Sequence, residues 1–122
     1  MKALFSILLI AGLTYATDKP TLVEFYAKWC IPCLQMEKTV FKDPAVKKYI
    51  KQNFNFIRLD TDRNEEIFCE GETLPILACM ELWDISSIPA FAILDKDGSL
   101  RHITIGEFDK KEFMNFLRAI KK

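Results

Sequence analysis

The sequence predicts an α/β fold: a four-stranded mixed sheet flanked by helices, with elements in the order βαβαββα and strands in the spatial order 2-1-3-4. Three observations carry it. Residues 21–27 (Thr-Leu-Val-Glu-Phe-Tyr-Ala) are apolar on both faces, as in a central strand, and a helical run over residues 34–41 follows Cys30-Ile31-Pro32-Cys33. Residues 90–94 and 100–105 are strand-like runs joined by Asp95-Lys96-Asp97-Gly98, a hairpin turn in which Gly supplies a positive φ. Asp109-Lys110-Lys111-Glu112 is a capping box ahead of Phe113, Phe116, Leu117 and Ile120, which fall on one face of a last helix.

The remaining elements follow in order. Residues 17–20 are a short polar lead. Glu24 is the one ionisable residue of the first strand, either a carboxylate at a strand edge reaching water or a buried acid beneath the cysteines; burial would raise its pKa and suit it to move a proton near neutral pH. Met36 and Val40 lie at i,i+4, and Asp43-Pro44 restarts the helix as N-cap and N1. Val46, Tyr49 and Ile50 continue at helical spacing. Residues 54–60 form the second strand, and Asp60-Thr61-Asp62 reads as a solvated turn. Residues 64–73 show no clear period and hold Ile67-Phe68-Cys69 and the breaker Gly71. Thr73 is placed to cap a helix over residues 74–83, with Leu74, Leu77, Ala78 and Leu82 toward the core. Ile85-Ser86-Ser87 is a linker, Ile88-Pro89 leads into the third strand, and Gly106 ends the fourth. A right-handed crossover joining two parallel strands leaves the cysteines outside the carboxyl end of the first.

At 122 residues the chain is one domain, and a half-hydrophobic composition with ten Phe supplies a core. Its 17 basic and 17 acidic residues cancel, and no basic stripe points to nucleic acid. Net neutrality gives no steering toward a charged partner. Residues 1–16 differ from the rest: Met1-Lys2, an apolar run over residues 3–13, then Thr14-Tyr15-Ala16. That is the pattern of a secretory signal peptide, too short for the roughly 20 residues of a spanning helix, with an uncleaved N-terminal anchor as the alternative. Residues 17–122 are then an exported domain, periplasmic or otherwise, free after cleavage or held by that anchor. Export fits four cysteines in a small domain, because disulfides persist in oxidising compartments.

The chemistry concentrates at Cys30 and Cys33. A C-x-x-C pair between a strand and a helix is the redox form of the motif. Free amide groups at the helix start favour a thiolate, the species that attacks disulfides. Cys30 lies nearest that end as the nucleophile; Cys33, one turn on, can close a disulfide with it as the resolving thiol. A zinc site would need two further ligands, whereas the only His is His102 and Cys69 and Cys79 stand ten positions apart. A merely structural bridge across so short a loop would restrict the unfolded chain little.

The ordered set of residues 22–33, ending in Trp29-Cys30-Ile31-Pro32-Cys33, then Ile88-Pro89-Ala90-Phe91, then Gly106, resembles the thioredoxin superfamily. Within it, residues 29–46 are similar to the periplasmic C-terminal domain of bacterial thiol:disulfide interchange proteins of the DsbD type. The resemblance implies a minimal thioredoxin fold in which Cys30 forms a mixed disulfide and Cys33 resolves it. Glu24 matches the family's buried acid, usually Asp, and Pro89 its cis-proline. The backbone of Ile88 would pair with substrate, Trp29 would shield the disulfide and contact partners, and Ile31 and Pro32 complete the substrate-binding set. Ala90 replaces the usual Thr.

Two departures from the family stand out. The strand and helix that precede the first strand in larger members are not matched, leaving a minimal fold or one completed by a partner. Cys69 and Cys79 are extra: a disulfide tying the irregular segment to the following helix is the first expectation, with two separate buried thiols or a second redox pair as alternatives. Ile31-Pro32 supplies no cation to stabilise a thiolate further, which favours a reductase over a strong oxidant. The expected partners are disulfide-containing exported proteins and a membrane or periplasmic electron donor. No cofactor, metal or nucleic acid is expected, since no nicotinamide or flavin motif is present. The alternatives are an oxidase or isomerase of the same fold, and a non-catalytic binding module with a static disulfide.

Overall fold

The computed structural model describes residues 18–121, together with the backbone of two short paired strands, β1 (Leu8–Ile10) and β2 (Leu13–Tyr15). The expected leader over residues 1–16 otherwise lies outside the described residues. Among the described residues no helix is long and apolar enough to cross a membrane.

The domain is built on a four-stranded sheet in the order β4-β3-β7-β8, where β3 is Thr21–Tyr26, β4 Asn55–Asp60, β7 Ala90–Leu94 and β8 Leu100–Ile105. β3 pairs parallel with β4 and antiparallel with β7, and β7 pairs antiparallel with β8. This is the expected 2-1-3-4 arrangement of a thioredoxin fold. β3 is central and its four inner residues are buried, which is why it reads as an apolar run interrupted only by Glu24.

Strand alternation divides the core in two. Leu22, Phe91 and Ile93 face α1 (Ile31–Met36), α2 (Pro44–Asn53) and α4 (Lys110–Ile120). Here Phe113 is fully buried and meets Phe41, Phe91, Phe108 and Phe116, its ring centroids 5.1–6.0 Å from theirs. Val23, Phe25, Ala90 and Ala92 face the other way, onto α3 (Ile76–Leu82). The caps are as the sequence indicates: Asp43 Oδ1 accepts from Ala45 and Val46 N–H, and Asp109 and Glu112 form a reciprocal capping box.

The segment from Asp60 to Trp83 departs from expectation. Residues 66–75 form a hairpin, β5 (Glu66–Cys69) with β6 (Glu72–Pro75). Its two-residue turn, Glu70-Gly71, has φ of 52° and 85°, the left-handed pair that matches strand twist in tight hairpins. Thr73 therefore lies in a strand and caps nothing; α3 starts at Ile76 behind Pro75. The buried residues of α3 are Ile76, Cys79 and Met80, whereas Leu77 and Leu82 are about half exposed. Its apolar residues occupy more than one face, so periodicity alone picked the wrong side. Asp60 and Thr61, expected to be solvated, are buried.

Candidate active site

The site forms where β3 ends and α1 begins. Cys30 is the N-cap of α1, with extended backbone, and Pro32 lies in the first turn, where a missing N–H costs nothing. Cys33 N–H donates to Cys30 Sγ at 3.2 Å, so the sulfur itself caps the helix. Cys30 and Cys33 are disulfide-bonded. The pair packs with Ala27, Tyr26 and Ile88 in a small cluster that shares Ile88 with the α3 side of the core. Each cysteine is 3% exposed, and their chain neighbours Trp29 and Ile31 are 65% and 70% exposed. The oxidised sulfurs thus lie just under exposed apolar side chains.

The Ile88–Pro89 peptide bond is cis, and the carbonyl oxygen of Ile88 lies 3.8 Å from Cys30 Sγ. Pro89 is anchored behind this contact by Gly106 N–H, which donates to its carbonyl at 2.8 Å. Trp29, Cys30, Ile31, Pro32, Cys33, Ile88 and Pro89 are therefore brought to one end of the sheet.

Glu24 is buried on β3. Arg58, its register partner on β4, donates from Nε to Glu24 Oε1 at 2.6 Å, while Glu24 Oε2 has no hydrogen-bond partner among the described residues. Burial pushes the Glu24 carboxyl above the ordinary glutamate range, and the Arg58 cation opposes this only in part. The second arm of Arg58, Nη2, lies 2.7 Å from Glu37 Oε1. The guanidinium also sits over the Tyr26 ring, 4.7 Å from its centroid, and 5.5 Å from that of Phe41. Glu37 opens a π-helical turn, Glu37–Phe41, that continues and widens the helix carrying Cys33.

Sequence reasoning missed three residues here. Arg58 and Glu37 become visible only once the parallel register sets Arg58 beside Glu24. Asp62 accepts from Trp29 Nε1 at 3.1 Å, tying the active-site loop to the loop after β4; the signal available was the pairing of two strand ends that run parallel.

Cys69 and Cys79 form a disulfide between the hairpin and α3, with both residues buried. Trp83 Nε1 donates to Glu70 Oε2 at 2.7 Å across the same junction. Among the described residues no group of three or more His, Cys, Asp or Glu side chains could hold a metal ion.

A family model described as a thioredoxin-like domain matches residues 13–121. A chloroplastic thioredoxin-like protein of Oryza sativa subsp. japonica is 32% identical over 86% of this chain and 35% of its own length. The thiol:disulfide interchange protein DsbD of Vibrio vulnificus is 36% identical over 64% of this chain and 14% of its own. The chain thus spans about a third or less of these two relatives. Among solved structures, the oxidised DsbD C-terminal domain of Neisseria meningitidis is similar at a TM-score of 0.64 and 23% identity, covering 84% of this chain and 81% of that one. A thioredoxin-fold protein from Helicobacter pylori reaches a TM-score of 0.70 at 18% identity, covering 88% and 71%. Both likenesses concern the fold.

Proposed function

The chain belongs to the thioredoxin-like family, and on that premise we propose that it is an exported thiol:disulfide oxidoreductase that reduces disulfides in other proteins. One observation carries the reading: the Cys30 sulfur occupies the N-cap of α1 and accepts the Cys33 N–H at 3.2 Å. In the reduced protein the same donor favours a thiolate on Cys30.

The reaction balances as two exchanges. The Cys30 thiolate attacks one sulfur of the partner's disulfide, forming a mixed disulfide and releasing a partner thiolate. Cys33 loses its proton and attacks Cys30 Sγ, releasing the second partner thiolate and closing Cys30–Cys33. Two electrons pass to the partner, and a dithiol donor protein must restore the reduced pair. Glu24 is the proton acceptor for Cys33 in this reading, since it is the buried carboxylate of β3 and its affinity for a proton is raised. Trp29, Ile31, Pro32, Ile88 and Pro89 form the surface that receives the partner's extended segment.

Export is supported by the residue 1–16 pattern and by the buried Cys69–Cys79 disulfide, which suits an oxidising compartment. The reducing direction is supported by Ile31-Pro32, which places no cation between the cysteines. Insulin reduction with dithiothreitol as donor tests the activity. Acceleration that Cys30→Ala abolishes is the expected result, and no acceleration by the wild type would make the chain a binding module. A reduction potential near that of strong oxidants would reverse the direction.

A further inference from the structure

The chain's neutrality conceals a strong separation of charge. Residues 60–84 carry eight of the 17 acidic side chains and one of the 17 Lys and Arg, a net charge of −7 that the rest of the chain balances with +7. The separation follows the sheet. The β5–β6 hairpin and α3 pack on the face that holds Val23, Phe25, Ala90 and Ala92. The opposite face carries α1, α2 and α4, with five lysines among residues 31–53 and Lys110, Lys111 and Arg118 on α4.

The acidic face is also apolar where it should be solvated. Ile67 and Cys69 turn inward on β5, which leaves Glu66 and Phe68 outward, with Phe68 65% exposed. On α3, Leu77 and Glu81 stand at i and i+4 and, with Asp84 in the turn just beyond the helix, border an open groove of about 350 Å³ floored by Met80 and Ile85. Leu82 adds a second half-exposed leucine. Glu66, Glu81 and Asp84 are exposed and make no ion pair among the described residues. An apolar groove rimmed by unpaired carboxylates suits Lys or Arg side chains, which lay an aliphatic stem on apolar surface and present a charged end.

Side-chain contacts link this face to the exchange site. Asp62, in the loop that joins β4 to the hairpin, accepts a hydrogen bond from Trp29. Ile67 and Trp83 pack in the same cluster as Ile88, the residue before the cis-proline.

We propose that the hairpin–α3 face is the docking surface for a protein partner whose facing segment is basic and apolar, and that this contact steers the partner's disulfide to Cys30. The proposal rests on the disulfide-exchange reading above. It assigns the extra Cys69–Cys79 bond a purpose: a two-stranded hairpin is marginal alone, and this bond fixes it against α3 so that it presents a rigid surface.

The test uses the whole chain with dithiothreitol as electron donor and two disulfide-linked fluorescent peptides, identical except for Lys or Glu flanking the cysteine. At about 10 mM salt the Lys peptide should be reduced roughly tenfold faster, and at about 0.5 M salt the two rates should agree within about twofold. The combined variant Glu66→Lys, Glu81→Lys and Asp84→Lys should invert the preference, and the corresponding Gln, Gln and Asn variant should erase it. Bis(2-hydroxyethyl) disulfide, small and neutral, should be reduced at the wild-type rate by both variants. Failure of the wild type on that reagent would overturn the exchange reading alone, because anisotropy binding of cysteine-free Lys and Glu peptides still tests the face. Equal handling of the two peptides at low salt, or a preference unmoved by charge reversal, would overturn the proposal. So would a salt-sensitive dimer in sedimentation velocity, which would put a second copy's lysine-rich helices on this face.

Discussion

Arg58 holds the buried Glu24 at 2.6 Å through Nε and the helix residue Glu37 at 2.7 Å through Nη2, so one guanidinium spans the sheet and the active-site helix. The pairing does not fully offset burial, and Glu24 keeps a raised proton affinity. The folded state therefore binds this proton more tightly than the unfolded state. Its contribution to stability is complete below the unfolded glutamate pKa of about 4.3 and is lost as pH rises through the folded value. Glu24→Gln should thus gain stability relative to wild type as pH increases from about 4 toward 8. Urea midpoints of both proteins across that range check it. A constant difference would show that Glu24 does not titrate between the two states.

Removing the cation should act in the opposite sense. Arg58→Met leaves Glu24 buried without its counter-charge, and loss of one partner of a buried pair costs about 3–5 kcal/mol. Because the Arg58 side chain is 34% exposed, solvent screening brings the expected cost to about 2 kcal/mol at pH 8. The cost should shrink toward pH 4, where Glu24 is protonated. Denaturant titration at the two pH values measures both.

The Trp29–Asp62 hydrogen bond orients an exposed indole beside the cysteines. Trp29→Phe keeps an aromatic ring and loses the donor. It should lower kcat/KM for a protein disulfide about fivefold, the equivalent of roughly 1 kcal/mol for an exposed charge-assisted bond. Reduction of a small disulfide should be nearly unchanged. Equal losses on both substrates would place Trp29 in the chemistry and not in partner contact.

The Cys69–Cys79 bond closes a short loop across the hairpin and α3. Replacing both with Ser should cost about 2–3 kcal/mol by the loop-closure relation and speed amide exchange in β5 and β6 before the main sheet. Hydrogen exchange read by mass spectrometry separates the two regions.

Most of the sheet was legible in the sequence because its elements announce themselves locally. The apolar run of β3 on either side of Glu24, Gly98 in the β7–β8 turn and the Asp109–Glu112 box each depend on residues close in the chain. The cysteine pair was legible for the same reason. The β5–β6 hairpin was not: its strands are four residues long, each opening on a Glu, and its turn is Glu70-Gly71 and not the familiar Asn-Gly. The inward face of α3 was misassigned because Ile76, Leu77, Met80 and Leu82 surround the helix, and only the packing selects Ile76 and Met80. Arg58 and Asp62 belong to the site through strand register, a property of two distant segments and not of either one.

The central claim is that Cys30 is the attacking sulfur and Cys33 the resolving one. The most direct measurement is intact-mass and peptide mapping of Cys33→Ala and Cys30→Ala after exposure to a disulfide-linked peptide. The account predicts a stable one-to-one adduct on Cys30 of Cys33→Ala, formed far faster than any adduct on Cys33 of Cys30→Ala. Equal rates for the two variants, or faster capture by Cys33, would contradict it.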